Sequence, residues 1–414
     1  MVSVAPQTAD LEAVLQQAMG CHQAGRLGDA ERLYRTVLQG FPAHPGVNNA
    51  LGIALKGQGR EGEALAAFRR TVAVAPDYPP GHSNLGNVLF EQGKLAEAEA
   101  CYRRALALQP DMADALKNLA LVVVDNGRFE ESIPLFRRHA ELAAGAPQNL
   151  GRATEPIPPH RAQHDAEQTE YRRSLGDAAP GRFHLEEGGR VNGLAVNPDS
   201  SGGEIAAGWQ ASRPQIAVID NLLTQEALEK LRQYCWRSTV WQKSYPNGYL
   251  GAMPEHGFAC PLLAQIGNEL RSTYPEIIGD APLLRWWGFK YDSRLRGINV
   301  HADFSAVNVN FYITPDEANL DPQSGGMIIW DKPAPLDWEL TQYNNPNAGQ
   351  AIRDFLTREN ARSVTVPHRA NRAVIFDSDL FHETDQIAFK EGYLNRRINI
   401  TFLYGTRENA AKQK

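Results

Sequence analysis

The sequence predicts a multidomain protein in which an α-helical solenoid is followed by an α+β domain with a small barrel or jelly-roll core. Three observations indicate this order. The chain has 414 residues, which exceeds the usual size of one hydrophobic core. Its first third repeats with a fixed period. Its last third contains short apolar segments separated by turn residues, a pattern typical of strands.

The composition is that of a globular protein, with 43% hydrophobic and 22% charged residues and a formal net charge of −6. This mild acidity gives no general attraction to nucleic acid or to an anionic membrane, so we expect neither partner. The N-terminus lacks a signal-peptide pattern, and no run of about 18 apolar residues could span a bilayer. Four scattered cysteines without a C-x-x-C pair indicate reduced thiols. We therefore expect a cytoplasmic protein.

Glycines recur every 34 residues in the first third, at Gly25, Gly59, Gly93 and Gly127. The same period connects alanines, aromatic residues and prolines, namely Ala30, Ala64, Ala98, Tyr34, Phe68, Tyr102, Phe136, Pro42, Pro76 and Pro110. Glycine allows a sharp turn between two antiparallel helices, and alanine lets those helices approach closely. The pattern resembles the tetratricopeptide repeat (TPR) and predicts about four repeats over residues 10–143.

The TPR resemblance implies a concave face that holds an extended peptide or a partner helix. Asn84 and Asn118 lie where the family often has an asparagine that hydrogen-bonds a ligand backbone. A solvated polar face is the alternative interpretation of both. The repeats could also serve as a dimerisation surface, which would give a homo-oligomer, or as a rigid support.

Residues 144–214 lose the period and become rich in proline, glycine, histidine and charge, which predicts a linker. Within it, residues 161–175 contain few helix breakers and could form a helix that covers the open end of the solenoid. We interpret His160, His164 and His184 as surface residues and not as metal ligands.

Residues 215–406 predict the α+β domain, followed by a short tail at 407–414. A strand at 215–220, a helix capped by Thr224 and a helix from Pro261 come first. Between the helices, the glycine-rich and aromatic segment 245–253 predicts a mobile loop at the mouth of a site. The later segments predict strands at 284–291, 299–303, 307–313, 327–330, 363–366, 373–376 and 397–403.

His301 and Asp303 are two residues apart in a segment that the sequence predicts to be extended. Alternate residues of a strand point to the same face, so both side chains could bind one metal ion. A single His-x-Asp pair is a weak signal by itself. Further along, the chain contains the strand-like 307–313, Gly325-Gly326, Phe381-His382 and Arg396-Arg397 followed by alternating residues.

In order and spacing, these elements resemble the prolyl-hydroxylase-like branch of the iron(II)/2-oxoglutarate-dependent dioxygenases over residues 215–406. The resemblance implies a double-stranded β-helix (jelly-roll) core, with ferrous iron, 2-oxoglutarate and O2. It carries His301, Asp303 and His382 over as the catalytic metal ligands. Two imidazoles and one carboxylate leave positions for a bidentate 2-oxo acid and oxygen. Asp303 favours hydroxylation, because related halogenases leave that position small for chloride.

A cation on a rigid strand would bind the distal carboxylate of 2-oxoglutarate, and a guanidinium suits it because it donates two parallel hydrogen bonds. The resemblance places Arg397 there, although Arg396 stays open. Alternation puts Asn399 and Thr401 on the same face as Arg397. The further candidates for co-substrate contacts are Tyr291, Asn308, Asn310 and Tyr312. For the two tyrosines, ordinary half-buried strand residues are an equal alternative.

The combination of repeats and oxygenase predicts a hydroxylase that acts on a protein or peptide recruited by the TPR domain. The insertion 314–360 and the segment 245–253 would flank the mouth and set specificity. Two alternatives stay open. The same chemistry could act on a small molecule while the repeats serve assembly, or the protein could be a non-catalytic TPR scaffold.

Overall fold

The computed structural model describes residues 8–145, 157–199, 202–293, 297–345 and 347–407. Packing divides the chain into two compact units between Asn126 and Gly127. The first unit is helical, and the second contains the sheets. The predicted C-terminal tail lies outside the described residues after Arg407. None of the described helices is both long and apolar enough to cross a membrane.

The first unit is a helical solenoid of the TPR type. Its described helices are α1 (Thr8–Gln23), α2 (Leu27–Gly40), α3 (Pro45–Gly57), α4 (Glu61–Val74), α5 (Pro79–Glu91), α6 (Leu95–Leu108) and α7 (Ala113–Asp125). The periodic glycines between paired helices have positive φ, for example +75° at Gly59. Gly52 and Gly86 lie against the rings of Phe68 and Tyr102. An added Cβ at Gly52 or Gly86 would come within 2.5 or 2.8 Å of the facing ring. Glycine at these two positions therefore allows the close packing of the helices.

Asparagine side chains connect alternate helices of the solenoid. Asn84 Nδ2 donates to Asn49 Oδ1 at 2.9 Å, and Asn118 Nδ2 donates to Asn87 Oδ1 at 2.8 Å. These bonds join α3 to α5 and α5 to α7. The two asparagines that the sequence assigned to the groove therefore each use one amide hydrogen within the solenoid itself.

The second unit has eight described helices and ten described strands. The helices are α8 (Phe129–Gly145), α9 (Pro159–Ser174), α10 (Gly202–Ala211), α11 (Gln225–Arg237), α12 (Pro261–Thr273), α13 (Pro275–Ile278), α14 (Leu340–Tyr343) and α15 (Gly349–Arg358). The strands are β1 (Ile216–Ile219), β2 (Trp241–Tyr245), β3 (Tyr249–Ala252), β4 (Leu283–Tyr291), β5 (Val307–Tyr312), β6 (Met327–Pro333), β7 (Ser363–Val366), β8 (Ala373–Asp377), β9 (Leu380–Thr384) and β10 (Ile398–Tyr404).

The strands form two antiparallel sheets. Seven strands pair in the order β1-β8-β5-β10-β4-β3-β2, and three pair in the order β7-β6-β9. The sheets pack through one buried apolar cluster, to which the larger sheet contributes Tyr312, Val374 and Phe376 and the smaller sheet contributes Ile329 and Leu380. β5 and β10 are buried along their whole length, and this includes their polar residues Asn308, Asn310, Asn399 and Thr401.

Helix α8 carries the last aromatic residue of the 34-residue period, yet its core contacts are with the second unit. Phe129 and Phe136 pack on Trp286 of β4, with ring centroids 4.2 and 5.7 Å away. Arg137 donates hydrogen bonds to the main-chain oxygens of Leu185 and Glu186. The compact unit therefore begins with this helix and not at residue 215.

The linker prediction missed ordered structure. A helix was expected at 161–175, and α9 occupies that place, but it packs within the second unit. Gln168 Nε2 donates to Ser238 O and to the hydroxyl of Tyr393. The interpretation of His164 as a surface residue is wrong, because this side chain is fully buried. The buried face of α9 consists of His164, Gln168 and Arg172, so hydrophobic periodicity could not reveal it.

Two local predictions in the second unit are also corrected. The expected loop at 245–253 is mostly the hairpin of β2 and β3, whose turn uses Gly248 with φ +84°. The expected strand at 299–303 is reduced to one isolated bridge between His301 and His382. The segment before β5 is therefore held by single contacts, and not by a continuous ladder.

Candidate metal centre and adjoining cavity

Three side chains that can bind a metal ion meet in the second unit. They are His301, Asp303 and His382, and their possible ligand atoms all lie within 4.8 Å of one another. His301 Nε2 is 3.8 Å from Asp303 Oδ1, and His382 Nε2 is 3.6 Å from Asp303 Oδ2. The described residues contain no second group of three or more His, Cys, Asp or Glu side chains with this geometry.

The backbone fixes both histidines. His301 and His382 exchange two main-chain hydrogen bonds, with N–O distances of 3.0 and 2.8 Å. His301 Nδ1 bonds the carbonyl oxygen of Asn299, and His382 Nδ1 bonds that of Leu380. A carbonyl oxygen only accepts, so each Nδ1 donates and each imidazole keeps Nε2 as the free lone pair. Burial, followed by the neighbouring His301, lowers the pKa of His382 to about 4.

The carboxylate of Asp303 is oriented by two amides. Asn308 Nδ2 of β5 donates to Asp303 Oδ2 at 2.7 Å, and Asn344 Nδ2 donates to Asp303 Oδ1 at 3.2 Å. Each oxygen therefore accepts one hydrogen bond and keeps lone-pair capacity for an ion. Two imidazoles and one carboxylate are a ligand set that suits Fe(II) and leaves positions open. The donor set thus fits the predicted metal.

Arg397 precedes β10 and is 2% exposed. Its Nε donates to Gly325 O at 2.6 Å, Nη2 to Gly326 O at 3.0 Å, and Nη1 to Asn399 Oδ1 at 3.0 Å. These neutral oxygens hold the guanidinium in place without neutralising it. Among the residues that the structure describes, no carboxylate lies within ion-pair distance of Arg397. A buried cation without an anion is costly, so this position favours an anionic ligand.

Arg396 belongs to a different environment. Its Nε donates to Glu167 Oε2 of α9 at 2.8 Å, and its Nη1 lies 3.6 Å from Asp292 Oδ2. The two adjacent arginines thus differ in whether a carboxylate neutralises their charge. Arg396 forms ion pairs with carboxylates, whereas Arg397 has no carboxylate partner in the part of the chain that the structure describes.

A cavity of about 340 Å³ contains the metal-binding group and Arg397 in one space. Its polar lining includes Asn310, Asn399 and Thr401. Asn399 Nδ2 donates to Asn310 Oδ1 at 3.2 Å, and Asn310 Nδ2 donates to Thr401 Oγ1 at 2.9 Å. Together with the bond from Arg397 to Asn399, these contacts form one continuous chain of polar groups along β10 and β5.

The two tyrosines of the sequence prediction have different positions. Tyr291 lines the cavity, and the Cζ atom of Arg397 lies 4.4 Å from its ring centre. Tyr312 is buried in the cluster between the sheets and is absent from the cavity lining. Its ring centre is 5.0 Å from Arg397 Cζ, and burial raises the pKa of its hydroxyl to about 12. Tyr312 therefore contacts the guanidinium from the apolar cluster between the sheets and not from the cavity.

One wall of the cavity is aromatic. Tyr245 and Tyr249 stack with centroids 4.4 Å apart, and Phe289 meets Tyr249 edge-on at 5.3 Å. Trp287 and Met253 also line this wall. The sequence indicated a site mouth near 245–253 and named Tyr291, but not the contribution of Trp287 and Phe289 from β4. Strand alternation places Trp287, Phe289 and Tyr291 on one face and could have indicated it.

Sequence reasoning missed the two amides on Asp303. Asn308 was considered only as a candidate for co-substrate contacts, and Asn344 was not singled out. Asn344 lies 41 residues after Asp303. No local period connects residues so far apart, so only the folded chain shows their contact.

Two models of the tetratricopeptide repeat family match the chain, at residues 22–87 and 83–147. The N-terminal region therefore contains tetratricopeptide repeats. No curated protein matches the chain.

Solved structures that resemble part of the chain include MamA residues 41 to the end from Desulfovibrio magneticus RS-1, with 20% identity and a TM-score of 0.30. This match covers 33% of the present chain and 77% of that one. The first TPR of Spaghetti (RPAP3) bound to an HSP90 peptide has 19% identity, TM-score 0.29 and coverages of 30% and 98%. The Yersinia enterocolitica chaperone SycD with a YopD peptide has 17% identity, TM-score 0.28 and coverages of 29% and 97%.

Proposed function

We propose that the second unit is an Fe(II)- and 2-oxoglutarate-dependent oxygenase with a double-stranded β-helix core. One observation carries this proposal. Two imidazoles and a carboxylate with metal-ligand geometry share a cavity with a buried arginine that has no carboxylate partner among the described residues. The pairing of a seven-stranded and a three-stranded antiparallel sheet across an apolar cluster supports the β-helix core.

Bound Fe(II) and 2-oxoglutarate would supply the oxidising chemistry, in which the 2-oxo acid gives succinate and CO2 and the substrate gains a hydroxyl group from O2. His301, Asp303 and His382 would hold the metal. Arg397 would bind the distal carboxylate of 2-oxoglutarate at a fixed depth, because three neutral oxygens already orient its guanidinium.

The remaining lining residues would position and shield the reactants. Asn399, Asn310 and Thr401 form the polar chain beside Arg397 and offer hydrogen bonds to the co-substrate. The aromatic wall of Tyr245, Tyr249 and Phe289 would exclude water from the cavity. Such exclusion protects a reactive site from side reactions.

The proposed substrate is a protein or peptide that the TPR domain recruits. The presence of the repeats in the same chain supports this choice, since a second binding module raises the effective concentration of its ligand at the site. A small-molecule substrate, with repeats used for assembly, and a non-catalytic scaffold are outcomes that the following experiment would reveal.

The test measures succinate formation with Fe(II), 2-oxoglutarate and O2 against a panel of peptides and metabolites. We expect turnover by the wild type and its loss in Asp303→Ala. Asp331→Ala is the matched control, because this carboxylate lies on β6 and bonds Arg362 outside the metal group. Absence of 2-oxoglutarate consumption by every variant would contradict the proposal and favour the scaffold. Turnover of metabolites alone would favour the small-molecule alternative.

A further inference from the structure

The segment between β6 and β7 reaches the metal-binding carboxylate. Most of this segment, called the insertion below, belongs to residues 314–360, which the sequence predicted to flank the cavity mouth and set specificity. We propose in addition that Asn344 is a positioning residue for the metal, which acts by orienting Asp303. This inference rests on the proposed function, because it assumes that Asp303 binds an ion.

Asn344 is fixed at the end of the short helix α14. Glu339 and Gln342 form a capping box at the start of that helix. The main-chain N–H of Asn344 donates to Leu340 O at 2.8 Å and closes its last turn. The side chain of Asn344 therefore projects from a defined backbone position, although α14 is only one turn long.

The insertion binds the backbone of Ala302, the residue between the first two metal ligands. Ala302 N–H donates to Tyr343 O at 3.0 Å, and Ala302 O accepts from Asn344 Nδ2 at 2.7 Å. Both polar groups of Ala302 are thus satisfied by two consecutive residues of the insertion. Because Ala302 lies between His301 and Asp303, these bonds fix the spacing and direction of both ligand side chains.

An apolar cluster holds the insertion in this position. Val300 and Ala302, from the metal-binding segment, pack with Tyr343 of α14, Ile352 of α15 and Phe381 of β9. All five are buried. Segment 299–303 lacks a strand ladder, so this packing and the bonds to Tyr343 and Asn344 replace the ladder that the sequence predicted.

The two amides on Asp303 have separate targets. Asn308 donates to Oδ2, which is the oxygen near His382, and Asn344 donates to Oδ1, which is the oxygen near His301. Asn308 comes from the larger sheet, whereas Asn344 comes from the insertion. Loss of Asn344 would free one side of the carboxylate to rotate, and it would also leave Ala302 O without this donor.

The test is a titration of the metal-free full-length protein with Co(II), followed by visible absorption and by calorimetry. Replacement of a residue that orients a metal ligand typically costs about 10- to 100-fold in metal affinity. We expect Asn344→Ala to weaken Co(II) binding within that range and to alter the ligand-field bands. The control Asn345→Ala removes the neighbouring amide, which accepts from Asn347 N and makes no described bond to Asp303, and should change affinity less than about 3-fold.

Asn344→Leu, which is similar in size to asparagine, carries the test if the alanine variant does not fold. Wild-type affinity and unchanged Co(II) bands in a folded Asn344 variant would overturn the inference but leave the proposed function intact. Failure of the wild type itself to bind Co(II) would overturn both. The spectrum separates positioning from simple stabilisation, since a loss of stability alone would not change the bands of the folded, loaded protein.

Discussion

Two adjacent arginines just before β10 show that neighbouring residues of the same type can have different electrostatic environments. The sequence favoured Arg397 for the co-substrate but could not separate it from Arg396, because both precede the same alternating strand. The structure places Arg397 in the cavity, with no carboxylate partner among the described residues, and pairs Arg396 with Glu167 and Asp292. Glu167 lies on α9, a helix that the sequence predicted but whose packing within the second unit no sequence pattern indicated.

Arg397→Lys should weaken 2-oxoglutarate binding by about 10- to 100-fold, because hydrogen bonds to charged groups contribute about 1.5–3 kcal/mol and lysine cannot provide the bidentate geometry. Anaerobic calorimetry of the Mn(II)-loaded protein with 2-oxoglutarate measures this change. Arg396→Lys is the matched control and should leave the co-substrate affinity nearly unchanged while lowering stability. The reverse result would transfer the role to Arg396.

His164 gives a prediction on pH and stability. Burial, followed by the charge of Lys290, lowers the pKa of His164 to about 3 in the folded protein, although Asp165 opposes the shift. The unfolded value is about 6.5. Between these values the unfolded chain binds one more proton, so the free energy of unfolding falls as pH falls from about 6.5 toward 3, by at most about 1.4 kcal/mol per pH unit.

His164→Gln should therefore have a shallower loss of stability between pH 6.5 and 4 than the wild type. All seven tryptophans lie between residues 209 and 338, so tryptophan fluorescence follows the unfolding of the second unit alone. His184→Gln, at a side chain that is 41% exposed, is the control. Equal pH slopes in wild type and His164→Gln would refute this assignment.

At the scale of elements, patterns with a regular period were predictable and contacts between distant elements were not. The 34-residue period predicted the helical repeats, which the family matches confirm. Most strands after residue 283 lie where short β-branched and aromatic segments predicted them. A helix at 161–175 was predicted, but its packing within the second unit was not, because the buried residues of α9 are polar. Segment 299–303 differs from the predicted strand because isolated contacts hold it.

Helix α8 provides a test of the boundary between the units. Phe136 is 1% exposed and packs on Trp286, so Phe136→Ala should lower the stability of the second unit by about 3–5 kcal/mol. Chemical denaturation followed by tryptophan fluorescence measures this loss. Val74→Ala, at a 39% exposed residue of the first unit, should leave the same transition unchanged. An unaltered transition in Phe136→Ala would place α8 outside the core of the second unit.

At the scale of the whole molecule, the residues proposed for chemistry and the repeats proposed for substrate recruitment belong to different parts of the chain. All proposed metal and co-substrate residues lie in the second unit, and the family matches cover the repeats. Composition and period could predict the two kinds of domain. They could not predict which residues line the cavity, because this lining combines residues from β2 to β10 that meet only after folding.

Removal of residues 1–126, which retains α8, should leave metal and 2-oxoglutarate affinity within about 3-fold, because every proposed ligand stays in place. Turnover of a recruited protein substrate should fall by about 100-fold or more at low substrate concentration, since the second binding event no longer raises its effective concentration. Succinate assays on the full and shortened chains measure both effects. Equal turnover on the native substrate would refute recruitment by the repeats.

The central claim is that one cavity binds a metal through His301, Asp303 and His382 and 2-oxoglutarate through Arg397. Anaerobic absorption spectroscopy tests it without a known substrate. We predict a visible charge-transfer band only when protein, Fe(II) and 2-oxoglutarate are all present. The band should be absent in Asp303→Ala, and in Arg397→Lys it should require a higher concentration of 2-oxoglutarate. No such band in the folded wild type at saturating Fe(II) and 2-oxoglutarate, or an equal band in Asp303→Ala, would contradict the claim.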